Sequence, residues 1–122
     1  MPKRPKPDPA SLESPAVSAM QAATGLRIAA VRKLASITQE SLAELLNVDQ
    51  STVAKWEKGR RMAEPYKMVA FCARFKLTMD FVYRGRLDSL ATDLALALAQ
   101  QFPDLVVVPQ PSMALGMGTA QT

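Results

Sequence analysis

Residues 38–59 read TQESLAELLNVDQSTVAKWEKG. Thr38 offers a hydroxyl to cap a helix, with Glu40 and Ser41 in the first turn. Leu42, Ala43, Leu45 and Leu46 give that helix an apolar face. Asn47 tolerates the left-handed backbone that a tight reversal between helices requires. Val48 is the apolar residue the reversal buries. Asp49 is expected to cap a following helix over about Gln50–Lys58, which Gly59 stops. Val53 and Trp56, three apart, point inward. Gln50, Ser51, Ala54, Lys55 and Lys58 point outward.

Working outward, the N-terminal flank divides at Gly25. Five prolines, at positions 2, 5, 7, 9 and 15, stand among Lys and Ser. Prolines at that density neither continue a helix nor pack a core, so residues 1–24 are expected to form a disordered basic arm. From Gly25, the spacing of Leu26, Ile28, Val31 and Leu34 predicts a short helix ending near Ala35, with Ser36-Ile37 as a turn. On the other flank, Pro65 suits the first turn of a fourth helix carrying Met68, Phe71, Cys72 and Phe75. Thr78 caps a short fifth, with Asp80 near its positive end and Gly85 at its stop. Asp88 is expected to cap a sixth helix reaching about Gln101, which Pro103 prevents from continuing. Leu105–Val108 has the composition of a short strand, and the tail beyond Pro109 reads as disordered. The fold class is therefore all-α. The domain reading is an arm at 1–24, a helical domain at 25–86, a C-terminal helix at 87–102 and a tail at 103–122.

Charge follows this division. The 122-residue chain carries a net +4. Residues 25–61 hold seven bases against four acids and residues 62–86 five against two, whereas residues 87–122 hold three acids and no base. A basic central segment favours an anionic partner, most often nucleic acid. Cys72 is the single cysteine, so no disulfide within the chain is expected, in keeping with a reducing cytoplasm. Histidine is absent, which removes the commonest general base and metal ligand. Neither a signal peptide nor an apolar run of membrane-spanning length is visible. No nucleophile–base pair, metal cluster or phosphate-cradling glycine loop stands out. The expectation is no enzyme, no catalytic residue, no metal, no cofactor and no membrane partner.

Two short helices around a three- to four-residue turn, with small Ala43 and apolar Val48, meet the needs of a helix-turn-helix. Residues 25–86 resemble the DNA-binding domain of phage repressors and Cro, the XRE-type regulators. The resemblance rests on Arg32, Thr38-Gln39, Leu42-Ala43, Val48, Gln50, Val53, Trp56-Glu57 and Gly59. A second block, Leu77-Thr78-Met79-Asp80-Phe81 closing at Arg84-Gly85, extends it. Asn47 stands where the family often has Gly, and Ala54 where many relatives carry a longer polar side chain. The resemblance implies a compact five-helix repressor-like bundle that binds double-stranded DNA, usually as a homodimer. The additional C-terminal helix lies outside it.

For individual residues, side-chain chemistry and resemblance act together. Gln reads adenine bidentately, Lys reads guanine and Ser accepts several bases, so Gln50, Ser51 and Lys55 are the candidate base contacts. Gln39, Arg32, Thr52, Lys58, Arg60 and Arg61 are the candidate phosphate contacts. The resemblance also implies a salt bridge between Arg32 and Glu57. Trp56, Cys72 and the methionines read as core. Lys3, Arg4 and Lys6 suit an arm that tracks the minor groove. Leu87, Leu90, Leu94 and Leu98 fall in one narrow helical stripe. That stripe packs either on its own bundle or, as a dimerisation seam, on a second copy. Leu96 lies off it. The functional expectation is a sequence-specific transcriptional regulator, a repressor, whose third helix enters the operator major groove. Two alternatives stay open. One is the antitoxin of a toxin–antitoxin pair, with a toxin held by the C-terminal region. The other is an adaptor that uses the bundle for protein contacts.

Overall fold

The computed structural model describes residues 15–105, and they are helical throughout, linked by turns. In chain order the elements are α1 (Pro15–Leu34), α2 (Gln39–Leu46), α3 (Gln50–Glu57), α4 (Pro65–Phe75) and α5 (Met79–Arg84). A 3-10 turn (Leu87–Ser89), α6 (Thr92–Gln101) and a second 3-10 turn (Pro103–Leu105) complete the described chain. The proposed strand at Leu105–Val108 therefore begins on a 3-10 turn, and its remaining residues lie outside the described ones. The Lys3, Arg4 and Lys6 arm lies outside them as well. No described helix is long and apolar enough to cross a membrane.

α1 is the first correction. It begins at Pro15, ten residues before Gly25, so residues 15–24 are not part of an irregular arm. Proline's fixed φ suits the first helical turn, and its missing N–H has no helical partner to lose there. The residues that follow, AVSAMQAAT, are good or tolerable helix formers without another proline. Thr24 is among the most completely buried side chains of the chain. Gly25 sits inside the helix because of a neighbour. A Cβ there would lie 2.0 Å from the Trp56 carbonyl oxygen, so glycine alone lets α1 lie on the end of α3.

The helix termini follow local chemistry. Thr38 Oγ1 accepts from the Ser41 N–H at 3.0 Å, and Thr78 Oγ1 accepts from the Phe81 N–H at 3.0 Å. Asn47 closes α2 in the left-handed region at φ 57°. Asp49 occupies the N-cap position of α3, but its side chain makes no capping hydrogen bond, contrary to expectation.

Ile28 and Val31 of α1, Leu42 and Leu46 of α2, Val53 and Trp56 of α3, and Met68 and Phe71 of α4 form one core with Phe81 and Val82 of α5. α1 is its central strut, packing on α3, α5 and α6. Burial of these side chains contributes roughly 1.5–3 kcal/mol each before the entropy of ordering is subtracted.

The C-terminal helix is the second correction. Asp88 does not cap it. Residues 87–89 make a 3-10 turn, Leu90 is extended, and α6 starts at Thr92. Leu87 and Leu90 consequently lie off the helix that carries Leu94 and Leu98. Leu90 and Leu98 are buried in the core of their own chain, with Leu87 and Leu94 packed beside them. Of the four leucines of the stripe, Leu90 and Leu98 thus help close the bundle from within, while Leu87 and Leu94 are half-buried. The physical reason is proximity, since α6 folds back on α1 and the same apolar stripe meets its partner without a second chain. Leu96, off the stripe, stays more than half exposed.

Candidate nucleic-acid interface

α3 presents a polar outer face. Val53 and Trp56 anchor it in the core, while Gln50, Ser51 and Lys55 are exposed and Thr52 and Ala54 half-buried. α2 crosses it at the Asn47–Asp49 turn. There buried Ala43 allows close approach, and its carbonyl accepts the Val48 N–H at 2.9 Å. Lys67 of α4 reinforces that turn. Its ammonium donates to the Leu46 carbonyl at 3.0 Å and the Asn47 carbonyl at 3.4 Å, at the negative end of α2. The sequence reading missed this lysine, whose partners are backbone atoms about twenty residues away.

A polar chain then runs from the core to the tip of α3. Arg32 Nε and Nη2 donate to the two carboxylate oxygens of Glu57 at 2.7 and 3.0 Å, a bidentate fork. Arg32 Nη1 also donates to the Ile37 carbonyl at 2.9 Å, pinning the α1–α2 turn. Gln39 Nε2 donates to Glu57 Oε1 at 2.9 Å, and Gln50 Nε2 donates to Gln39 Oε1 at 2.7 Å. Side-chain exposure is only 14% for Arg32 and 7% for Glu57, so water competes weakly for this pair. The hydrogen bonds that Arg32 donates to Glu57 raise its already high pKa, against the opposing effect of burial. Arg32 is thereby engaged inside the protein. As a phosphate contact it would have to reach out with the N–H groups left over from three internal bonds.

The candidate phosphate contacts past α3 differ among themselves. Lys58 and Arg60 are exposed and have no ion-pair partner among the described residues. Arg61 pairs with Glu64 three residues on. Burial works against the charged form of Glu64, but hydrogen bonds from its own backbone and from Arg61 hold its carboxyl below the usual range. Arg27 corrects the charge count in another way. It is buried, donates to the Val82 carbonyl at 3.1 Å, and its pKa is lowered by burial. Of the seven bases in residues 25–61, Arg27 and Arg32 therefore serve the fold.

α1 fastens the far end of α3. Gln21 Nε2 donates to the Gly59 carbonyl at 3.2 Å. Gly59 has φ +73°, and a Cβ on it would come within 2.8 Å of the Ala22 Cα. The sequence reading placed Gln21 and Ala22 in the arm, and only the early start of α1 brings them here.

Two crossing helices joined by a left-handed asparagine, the second helix clamped at both ends with a polar face outward, decide the architecture. Residues 28–82 match the family described as Helix-turn-helix. That segment has the architecture of a helix-turn-helix domain and spans a little under half of the chain. The chain is also similar in fold to the crystal structure of the clp gene regulator ClgR from Corynebacterium glutamicum. The TM-score is 0.50 at 22% identity, covering 69% of this chain and 95% of that one. At that identity the likeness concerns the fold. No curated protein matches in sequence. The helix-turn-helix segment matched ends at residue 82, so α6 lies beyond it, as does the part of α1 before residue 28.

Proposed function

We propose that the chain is a sequence-specific DNA-binding transcriptional regulator, a repressor that lays α3 in the major groove of its operator. The observation that carries this reading is the hydrogen-bond chain from Arg32 to Gln50. A glutamine amide has two N–H donors and one carbonyl acceptor. Gln50 gives one N–H to Gln39, which fixes the side chain and leaves the carbonyl and the second N–H. Those are the two groups needed to accept from adenine N6 and donate to N7. Lys55, one turn further on, is exposed and suits guanine, and Ser51 lies between them. Gln39 keeps one N–H for a phosphate, and Lys58 and Arg60 supply charge where the chain leaves α3.

Selection of bound sequences from a random DNA pool tests the reading. An enriched motif is expected, and a palindromic one would show that two copies bind together. Gln50→Ala should weaken binding by ~1–3 kcal/mol and relax one base position. An unchanged motif for that variant would overturn the assignment of Gln50. Failure to enrich any sequence would overturn the regulator reading and favour an adaptor.

A further inference from the structure

The outer face of α1 carries an apolar groove away from α3. Leu26, Ala29, Ala30 and Lys33 form one wall, and Phe102, Pro103, Asp104 and Leu105 the other, around a cavity of about 230 Å³. Leu26 is 59% exposed, a large apolar side chain left open to water at the mouth. At ~100° per residue, Leu26 and Lys33 lie about a quarter-turn round the helix from Gly25 and Arg32. The groove is therefore distinct from the surface that holds α3.

We infer that this groove is the docking site of the chain's own next segment, Val106–Val108. Leu105 is both a groove-lining residue and the last described one, so Val106 starts one Cα step, about 3.8 Å, from the wall. Three extended residues reach at most ~10 Å. The groove wall from Leu26 to Lys33 spans seven helical steps, also about 10 Å. In an extended segment Val106 and Val108 share one face and Val107 takes the other, so two valines meet the groove together. Residues 106–122 contain no charged side chain, which suits a mainly apolar cleft. The tether also makes docking intramolecular, an advantage that a second copy or another protein would lack.

The test uses the full chain with Leu26→Cys, a substitution at an exposed position that the fold tolerates. Labelling of that thiol by a neutral maleimide is followed with the native tail and with Val106→Ser/Val108→Ser. The buried Cys72 of the unsubstituted chain gives the background. At least fivefold slower labelling with the native tail, independent of protein concentration, is expected. Equal rates for the two tails overturn the inference. Protection that grows with protein concentration also overturns it, and assigns the groove to a second copy. The readout involves no DNA, so it stands or falls separately from the proposed function.

Discussion

Consider the removal of Glu57. Its carboxylate holds both forks of Arg32 at 2.7 and 3.0 Å and accepts from Gln39 at 2.9 Å. Glu57→Ala leaves the Arg32 guanidinium, 14% exposed, with only the Ile37 carbonyl as partner. For a fully buried pair, stranding one charge costs about 3–5 kcal/mol, whereas an exposed pair is worth less than about 1. Exposures of 14% and 7% place this pair near the buried limit, with some relief because Arg32 can swing toward solvent. The expected cost is about 3 kcal/mol, a fall of roughly 12–20 °C in Tm for a domain of this size. Arg32→Ala should cost about as much, and the double variant only slightly more than either. A coupling energy near 2 kcal/mol is therefore expected from a double-mutant cycle in thermal melts. High salt should reduce it only modestly, since a pair this enclosed is poorly screened. A coupling energy within about 0.3 kcal/mol of zero would refute the reasoning. It would mean that the fork is formed without net gain and that α3 is held by its other contacts, chiefly the burial of Val53 and Trp56.

Two further outcomes follow from the packing. Gly25→Ala places a methyl 2.0 Å from the Trp56 carbonyl and must push α1 off α3. A loss of at least about 2 kcal/mol by denaturant unfolding is expected, and a variant as stable as the parent would show that the helices do not meet there. Tyr83 donates its hydroxyl to the Ala63 carbonyl at 2.7 Å, and its pKa is pushed up to about 12, first by burial and then by the negative charges of ionised Cys72 and Glu64. Because the folded value lies above the unfolded value of about 10, the contribution to stability is present below pH 10 and lost as pH rises toward 12. Ultraviolet titration should show a late tyrosine step that Tyr83→Phe removes, and a tyrosinate spectrum complete by pH 11 would refute it.

What could be read from the sequence, and what could not, separates by the range of the interaction responsible. Thr38, Asn47, Thr78, Gly59 and Gly85 act on backbone within a few residues, so their caps and turns were visible in order. Gln50 could be read from its outward place on the third helix, whereas Gln39 and the Arg32–Glu57 fork were reached through resemblance, since spacing alone does not bring side chains 25 positions apart into contact. Pro15 and Gly25 misled because both residues carry opposite meanings. Proline breaks a helix interior but suits its first turn, and glycine weakens a helix unless another backbone lies against it. Arg27 and Lys67 were missed because their partners are carbonyl groups, which every residue possesses and no sequence pattern marks. The leucines near the C-terminus pose a different problem. Helical periodicity establishes that Leu94 and Leu98 share a face and must be covered, but it is silent on what covers them. Chain connectivity supplies the answer here. α6 is joined to α5 through a short turn that keeps it beside α1, and covering the stripe within one chain avoids the translational entropy lost when two molecules associate. Burial of Leu98 by its own bundle is thus the lower free-energy choice for that side chain.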